Sequence, residues 1–111
     1  MKTVSVVVPC MNELEYIRKF IYSIFNQDYP KHLIEIIIAD GMSTDGTRDI
    51  LNSFNDFRLK LIDNTDKYVS TGLNEAIMNS TGEIIMRMDV HCIYPSNYIS
   101  VLIKHLLIIN K

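Results

Sequence analysis

Cysteine, glycine and proline are all scarce in this chain, and neither sign of charge is in excess. Two cysteines, Cys10 and Cys92, in 111 residues argue against a disulfide framework and for the reduced thiols of a cytosolic protein. Four glycines and three prolines leave no linker, no low-complexity tract and no internal repeat. Eleven Lys and Arg stand against 13 Asp and Glu, a net charge of −2, and the cations are scattered. Nothing in that balance points to nucleic acid or an anionic membrane as partner. No run approaches the roughly 20 apolar residues that cross a bilayer. Val4 to Val8 is too short for the core of a secretory signal. The expected location is cytoplasmic, with membrane association of a longer protein left open.

Present instead is an ordinary globular balance, 48% hydrophobic and 22% charged, in one small domain over residues 1–111. Its strongest pattern is an apolar run that turns acidic, three times over. Residues 3–8 lead into Pro9-Cys10-Met11-Asn12-Glu13, residues 34–39 into Asp40-Gly41-Met42-Ser43-Thr44-Asp45-Gly46, and residues 83–88 into Asp89-Val90-His91. The first two runs are nearly continuous Val and Ile, as in strands buried on both faces. A short third strand, with Leu59 and Leu61 alternating against polar neighbours, belongs at an edge.

Helices fill the gaps. Leu14, Ile17, Ile21 and Ile24 fall on one face, with Asn12 as cap and Glu15 completing a capping box. A second helix follows Thr44-Asp45 and buries Ile50, Leu51 and Phe54. Ser70 or Thr71 caps a third that carries Leu73, Ala76 and Ile77 and stops at Gly82. The last starts after Pro95-Ser96, with Tyr98, Val101, Leu102, His105, Leu106 and Ile109 on one stripe. Alternating strands and helices predict an α/β, doubly wound, parallel sheet of order 3-2-1-4. Ligands bind outside the carboxyl ends of such strands. Glu13, Asp40, Asp89 and His91 are therefore expected at one mouth.

These segments, together with Asn74 and Gly82-Glu83-Ile84-Ile85-Met86-Arg87-Met88, resemble the family 2 glycosyltransferases of the Rossmann-like GT-A fold along essentially the whole chain. The resemblance implies the donor-binding half of an enzyme that transfers a sugar from a nucleotide diphosphate-sugar, commonly a UDP-sugar, to a glycan acceptor. Pro9, Cys10, Asn12, Glu13, Asp40, Gly41, Ser43, Ser70 and Asn74 match positions around the nucleotide. Glu13 would then face ribose, and Asp40 the N–H of the base. Asp89 and His91 stand where the family commonly has two metal-binding aspartates, implying Mn²⁺ or Mg²⁺ as cofactor. His in third place, followed by Tyr94-Pro95, resembles a bacterial exopolysaccharide subgroup, and imidazole favours Mn²⁺.

Helix capping explains Asp45; for Ser70 capping, and for Asn74 helix packing, are equally good accounts. Arg87 inside a strand either pairs with an acid or reaches substrate. The family's general base is expected in a C-terminal half beyond this truncated chain, so no catalytic residue is assigned here. A non-catalytic nucleotide-sugar binding module is the alternative reading. The unpaired edge of strand four and the apolar run Leu106-Leu107-Ile108-Ile109 lead to an expected homodimer.

Overall fold

The computed structural model describes residues 1–109, with side chains through Leu106. Strands β1 (Val4–Cys10), β2 (Ile34–Asp40), β3 (Leu59–Asp63) and β4 (Ile84–Arg87) alternate with helices α1 (Ile17–Phe25), α2 (Thr47–Ser53), α3 (Val69–Met78) and α4 (Tyr98–Ile109). All pairings are parallel and the order is β3-β2-β1-β4, as the alternation predicts. No helix among the described residues is long and apolar enough to cross a membrane.

Strand alternation divides the core. Val4, Val6, Val8, Ile36 and Ile38 face one side, where Ile17, Phe20, Ile21 and Ile24 of α1, Leu51 of α2 and Ile99 and Ile103 of α4 cover them. Val7, Ile37 and Ala39 face the other and meet Leu73 and Ala76 of α3. Each fully buried Val or Ile contributes about 1.5–3 kcal/mol, so the centre of the sheet carries most of the stability.

Local signals fail where tertiary bonds compete with them. Asn12 does not cap α1, which starts at Ile17 behind Tyr16 without a side-chain cap. Asn12 sits instead at φ 50, accepting from the Thr44 amide and donating its own amide to Ser43 Oγ, so the loop after β1 is tied to the loop after β2. Leu14 is drawn out with it and is exposed. Ser70 and Thr71 lie inside α3 rather than before it, because Tyr68 is its N-cap. The buried Asn64 does the bonding there: Nδ2 donates to the Tyr68 carbonyl, and Oδ1 accepts from Thr71 Oγ1.

Gly82 does not end α3, which closes at Asn79. It marks a close approach to β1, where a Cβ would stand 2.6 Å from Ser5 N and 2.7 Å from Ser5 Oγ. The α4 stripe is also rotated: Ile99 and Ile103 are buried, while Val101, His105 and Leu106 are exposed. The buried Gln27 sets that rotation, accepting from the Ile99 amide and donating to the Pro95 carbonyl. The side chains of Leu107, Ile108 and Ile109 lie outside the described residues, and with them most of the expected apolar end.

Two outcomes follow from this packing. Gly82→Ala drives a methyl into the Ser5 backbone and should cost about 1–3 kcal/mol, read as a lower denaturant midpoint at unchanged slope. Glu35 is pushed up by burial, but bonds from Lys60, Ser5 and Thr81 outweigh that and bring it from 4.5 to about 2. Its contribution, of order 3 kcal/mol, is present above pH 4.5 and lost as pH falls toward 2. Denaturation midpoints measured across that window should fall, and less steeply in Glu35→Gln; equal slopes would refute the assignment.

Candidate functional site

The register sets Cys10 beside Asp40 and Asp40 beside Asp63, so three strand ends share one edge. The loops that follow β1 and β3 rise on either side of the end of β2. Between them lies a cleft of about 260 Å³, with Pro9, Cys10, Met11 and Glu13 on one wall and Asn64, Lys67, Tyr68 and Val69 on the other. Among the described residues, the non-glycine positions with positive φ are Asn12, Met42 and Lys67 (50°, 61° and 68°), one in each loop that leaves β1, β2 and β3. Each costs of order 1 kcal/mol or more, and such strain concentrates at functional edges.

Asp40 lies under the cleft floor with no exposed surface. Oδ1 accepts from Ser43 Oγ at 2.6 Å, and Oδ2 accepts from the Ser43 amide at 2.8 Å and Arg48 Nη1 at 2.9 Å. Arg48 Nη2 reaches Asp63 Oδ1 at 2.5 Å. Gly41 is where backbone and side chain crowd, since a Cβ would meet Met11 at 3.3 Å. Asp45 is structural: it accepts from the Thr47 amide and hydroxyl and from the Leu14 amide. The Thr47 hydroxyl bond leads in lowering its pKa. Burial, with the Asp40 and Glu13 carboxylates nearby, pushes the Cys10 thiol far above its ordinary range, so it is no nucleophile. Both cysteines are free.

On the β4 side, Asp89 and His91 turn to different partners. Asp89 Oδ1 accepts from Arg87 Nε at 3.1 Å and Nη2 at 2.9 Å, which resolves the Arg87 alternative in favour of pairing with an acid. The Asp89 amide donates to Tyr94 Oη, whose phenol burial pushes up to about 12. His91 packs against Tyr16, with ring centroids 4.5 Å apart and planes tilted by 56°, and turns to Glu13. Its Nε2 lies 2.9 Å from Oε1 and 2.7 Å from Oε2. Oε2 is buried and meets no aligned donor. Among the described residues, no three His, Cys, Asp or Glu side chains gather closely enough to enclose an ion. The donor chemistry nonetheless fits one: carboxylate oxygens and an imidazole at one mouth, with the Glu13 oxygen unsatisfied.

Ser70 and Asn74 are exposed on α3 and lie outside the cleft walls. Asn64, Lys67, Tyr68 and Arg48 are the site residues that sequence reading missed. The strand-end logic applied to β1, β2 and β4 would have found the first three had it been carried to Asp63, the end of β3.

The family model described as Glycosyl transferase family 2 matches residues 5–110. Among curated proteins, the "Dolichyl N-acetyl-alpha-D-glucosaminyl phosphate 3-beta-D-2,3-diacetamido-2,3-dideoxy-beta-D-glucuronosyltransferase" of Methanococcus voltae is 36% identical over 99 residues, 86% of this chain and 30% of that protein. Succinoglycan biosynthesis protein ExoA of Rhizobium meliloti is 32% identical over 103 residues, 89% of this chain and 31% of that protein. In fold, the chain matches Staphylococcus aureus TarS in complex with UDP at a TM-score of 0.86 and 25% identity, over 94% of this chain and 32% of that one. It matches a Pyrobaculum calidifontis mannosyltransferase in complex with GDP-Man and Mn²⁺ at 0.76 and 33%, over 85% and 29%. The chain spans about a third of the length of the curated relatives it matches. A match that begins in β1 and runs through every later strand and helix to residue 110 fixes the relationship: the chain belongs to glycosyl transferase family 2.

Proposed function

We propose that this chain is the donor-binding portion of an enzyme that transfers a sugar from a nucleotide diphosphate-sugar, a UDP-sugar, to a glycan acceptor in cell-surface or exopolysaccharide synthesis. The observation that carries this reading is the cleft that straddles the end of β2, with Asp40 beneath its floor and Glu13 and Lys67 in its walls. The UDP held by TarS and the succinoglycan role in ExoA's name support the donor and the product class respectively.

In this reading the base enters between Pro9-Cys10 and Tyr68 and donates an N–H to Asp40. Gly41 leaves room for it, and Ser43 and Asn12 brace the loops. Ribose hydroxyls satisfy Glu13 Oε2, the buried oxygen without a donor. Lys67 places a cation in the cleft wall, suited to phosphate oxygens. Asp89 and His91 would hold a divalent metal, with imidazole favouring Mn²⁺ over Mg²⁺. When bound, the ion neutralises charge on the departing diphosphate. Ser70 and Asn74, the second and sixth residues of α3, match family positions around the nucleotide and lie beyond the cleft walls. The acceptor-activating base is not assigned to these residues. We also propose that the β4 edge, where Ile85 is exposed and β1 is the one paired neighbour among the described residues, is covered by a second copy.

Calorimetry with UDP, with and without Mn²⁺, tests the site. Asp40→Ala and Asp89→Ala should each weaken Mn²⁺-dependent binding by about 1.5–3 kcal/mol, tenfold or more. Unchanged affinity in both would remove the assignment. His91→Asp should shift the metal preference toward Mg²⁺, and an identical Mn²⁺ to Mg²⁺ ratio in variant and wild type would rule out ligation by His91. Light scattering at micromolar concentration should give twice the chain mass; a strict monomer contradicts the pairing at β4.

A further inference from the structure

We infer that Tyr94 is a positioning residue whose hydroxyl fixes the turn carrying Asp89 and His91, and through it their affinity for a divalent cation. The inference rests on the metal reading of those two side chains proposed above. It concerns what holds them in place before any ion arrives.

Their own contacts hold them weakly. Asp89 pairs with an exposed Arg87, and His91 is itself exposed beside Glu13. Exposed pairs of this kind add little and are screened by salt. The direction in which each side chain leaves is therefore set by the backbone, and the backbone here is a turn. The Cys92 amide donates to the Asp89 carbonyl at 3.1 Å, which closes residues 89–92 with Asp89 first and His91 third. Just before it, the Met88 amide donates to the Val7 carbonyl at 3.2 Å. The paired register with β1 has already ended at Arg87, so the ladder does not guide the turn. Val90 is buried and sets its depth. An apolar contact has no direction, however, and leaves the turn free to pivot.

Tyr94 removes that freedom. Its Oη accepts from the Asp89 amide at 2.8 Å. Such a bond weakens steeply as it bends, so it fixes the peptide plane ahead of Asp89. That plane sets where the Asp89 side chain points, and the closed turn carries His91 with it. The hydroxyl is fixed in its turn by packing. Its ring meets Tyr98 of α4 and Phe20 of α1 edge-on, with centroids 4.7 and 6.2 Å away. The next residue, Pro95, is anchored by its carbonyl, which accepts from Gln27 Nε2 at 2.7 Å. Tyr94-Pro95 thus ties an exposed turn to two packed helices. Outer bonds that orient metal ligands commonly matter roughly 10–100-fold in metal affinity.

The test is Mn²⁺ affinity at saturating UDP, measured by calorimetry in the wild-type chain, Tyr94→Phe and Tyr98→Phe. Tyr94→Phe keeps the ring and removes the hydroxyl, and its Mn²⁺ affinity should fall roughly tenfold. UDP affinity without Mn²⁺ should stay at the wild-type value. Tyr98→Phe removes a hydroxyl from the neighbouring ring and should change neither affinity. A merely structural Tyr94 would lower the melting temperature and leave Mn²⁺ affinity untouched, and that result overturns the inference. An equal loss in both variants overturns it as well. Amide exchange in the wild-type chain gives a reading that needs no variant to fold: the Asp89 amide should be protected. Exchange there at the rate of a free peptide overturns the bond itself. Wild-type chain that takes up no Mn²⁺ with UDP present would instead overturn the metal reading, a failure seen before any substitution is made.

Discussion

The parallel ladder between β1 and β2, seven residues in register from Val4–Ile34 to Cys10–Asp40, has no solvent-facing side, and every other element is placed by covering or extending it. Helices α1 and α4 cover one face and α3 the other, while β3 and β4 extend the sheet at its two edges. A ladder buried on both faces leaves its amides and carbonyls no solvent to bond, so a slip in register would strand polar groups at several kcal/mol. That constraint delivers Cys10 and Asp40 side by side at the carboxyl edge.

The same constraint creates an electrostatic problem at that edge. Asp40 is carried into a place with no exposed surface, and Asp63 arrives beside it through the β2–β3 register. A buried carboxylate persists only with a partner and hydrogen bonds. Arg48 and Ser43 supply both, and both lie in the segment that leaves β2. The cross-ties between the loops after β1 and β2, through Asn12, Ser43 and the Thr47 hydroxyl, then hold one wall of the cleft to its floor.

Sequence reading reached the elements whose signal is burial and missed those whose signal is a partner far along the chain. The Val and Ile runs of β1 and β2 state their own two-sided burial, and the alternation of strands and helices gives the order β3-β2-β1-β4. Asn12, by contrast, looks like a cap until Ser43 and Thr44, 31 and 32 residues later, claim its amide and carboxamide. Ser70 and Thr71 fall inside α3 behind Tyr68, whose carbonyl the buried Asn64 holds, and Gly82 serves Ser5 rather than the helix it follows. The rotation of α4 is decided by Gln27, 72 residues before Ile99. At the site the strand-end acids were legible because strand ends are. Their counter-charges were not, because Arg48 and Arg87 sit within a helix and a strand where local pattern says nothing about what they reach.

The magnitudes divide the mouth into a fixed side and an exchangeable one. Breaking the Asp40–Arg48 pair would leave an uncompensated buried charge, at a cost of about 3–5 kcal/mol. The pairs on the β4 side are different. Arg87 and Asp89 are 49% and 43% exposed, and His91 is 61% exposed. Exposed pairs are worth about 0–1 kcal/mol, and salt screens them further. A cation can replace Arg87 as the partner of Asp89 at little cost, whereas Arg48 is held between two acids, one of them fully buried. The base end of a donor would therefore meet a preset acceptor, and its diphosphate end would meet side chains free to rearrange. On the proposed donor-binding reading, the depth at which each carboxylate is held would set recognition at the base end apart from adaptation at the phosphate end.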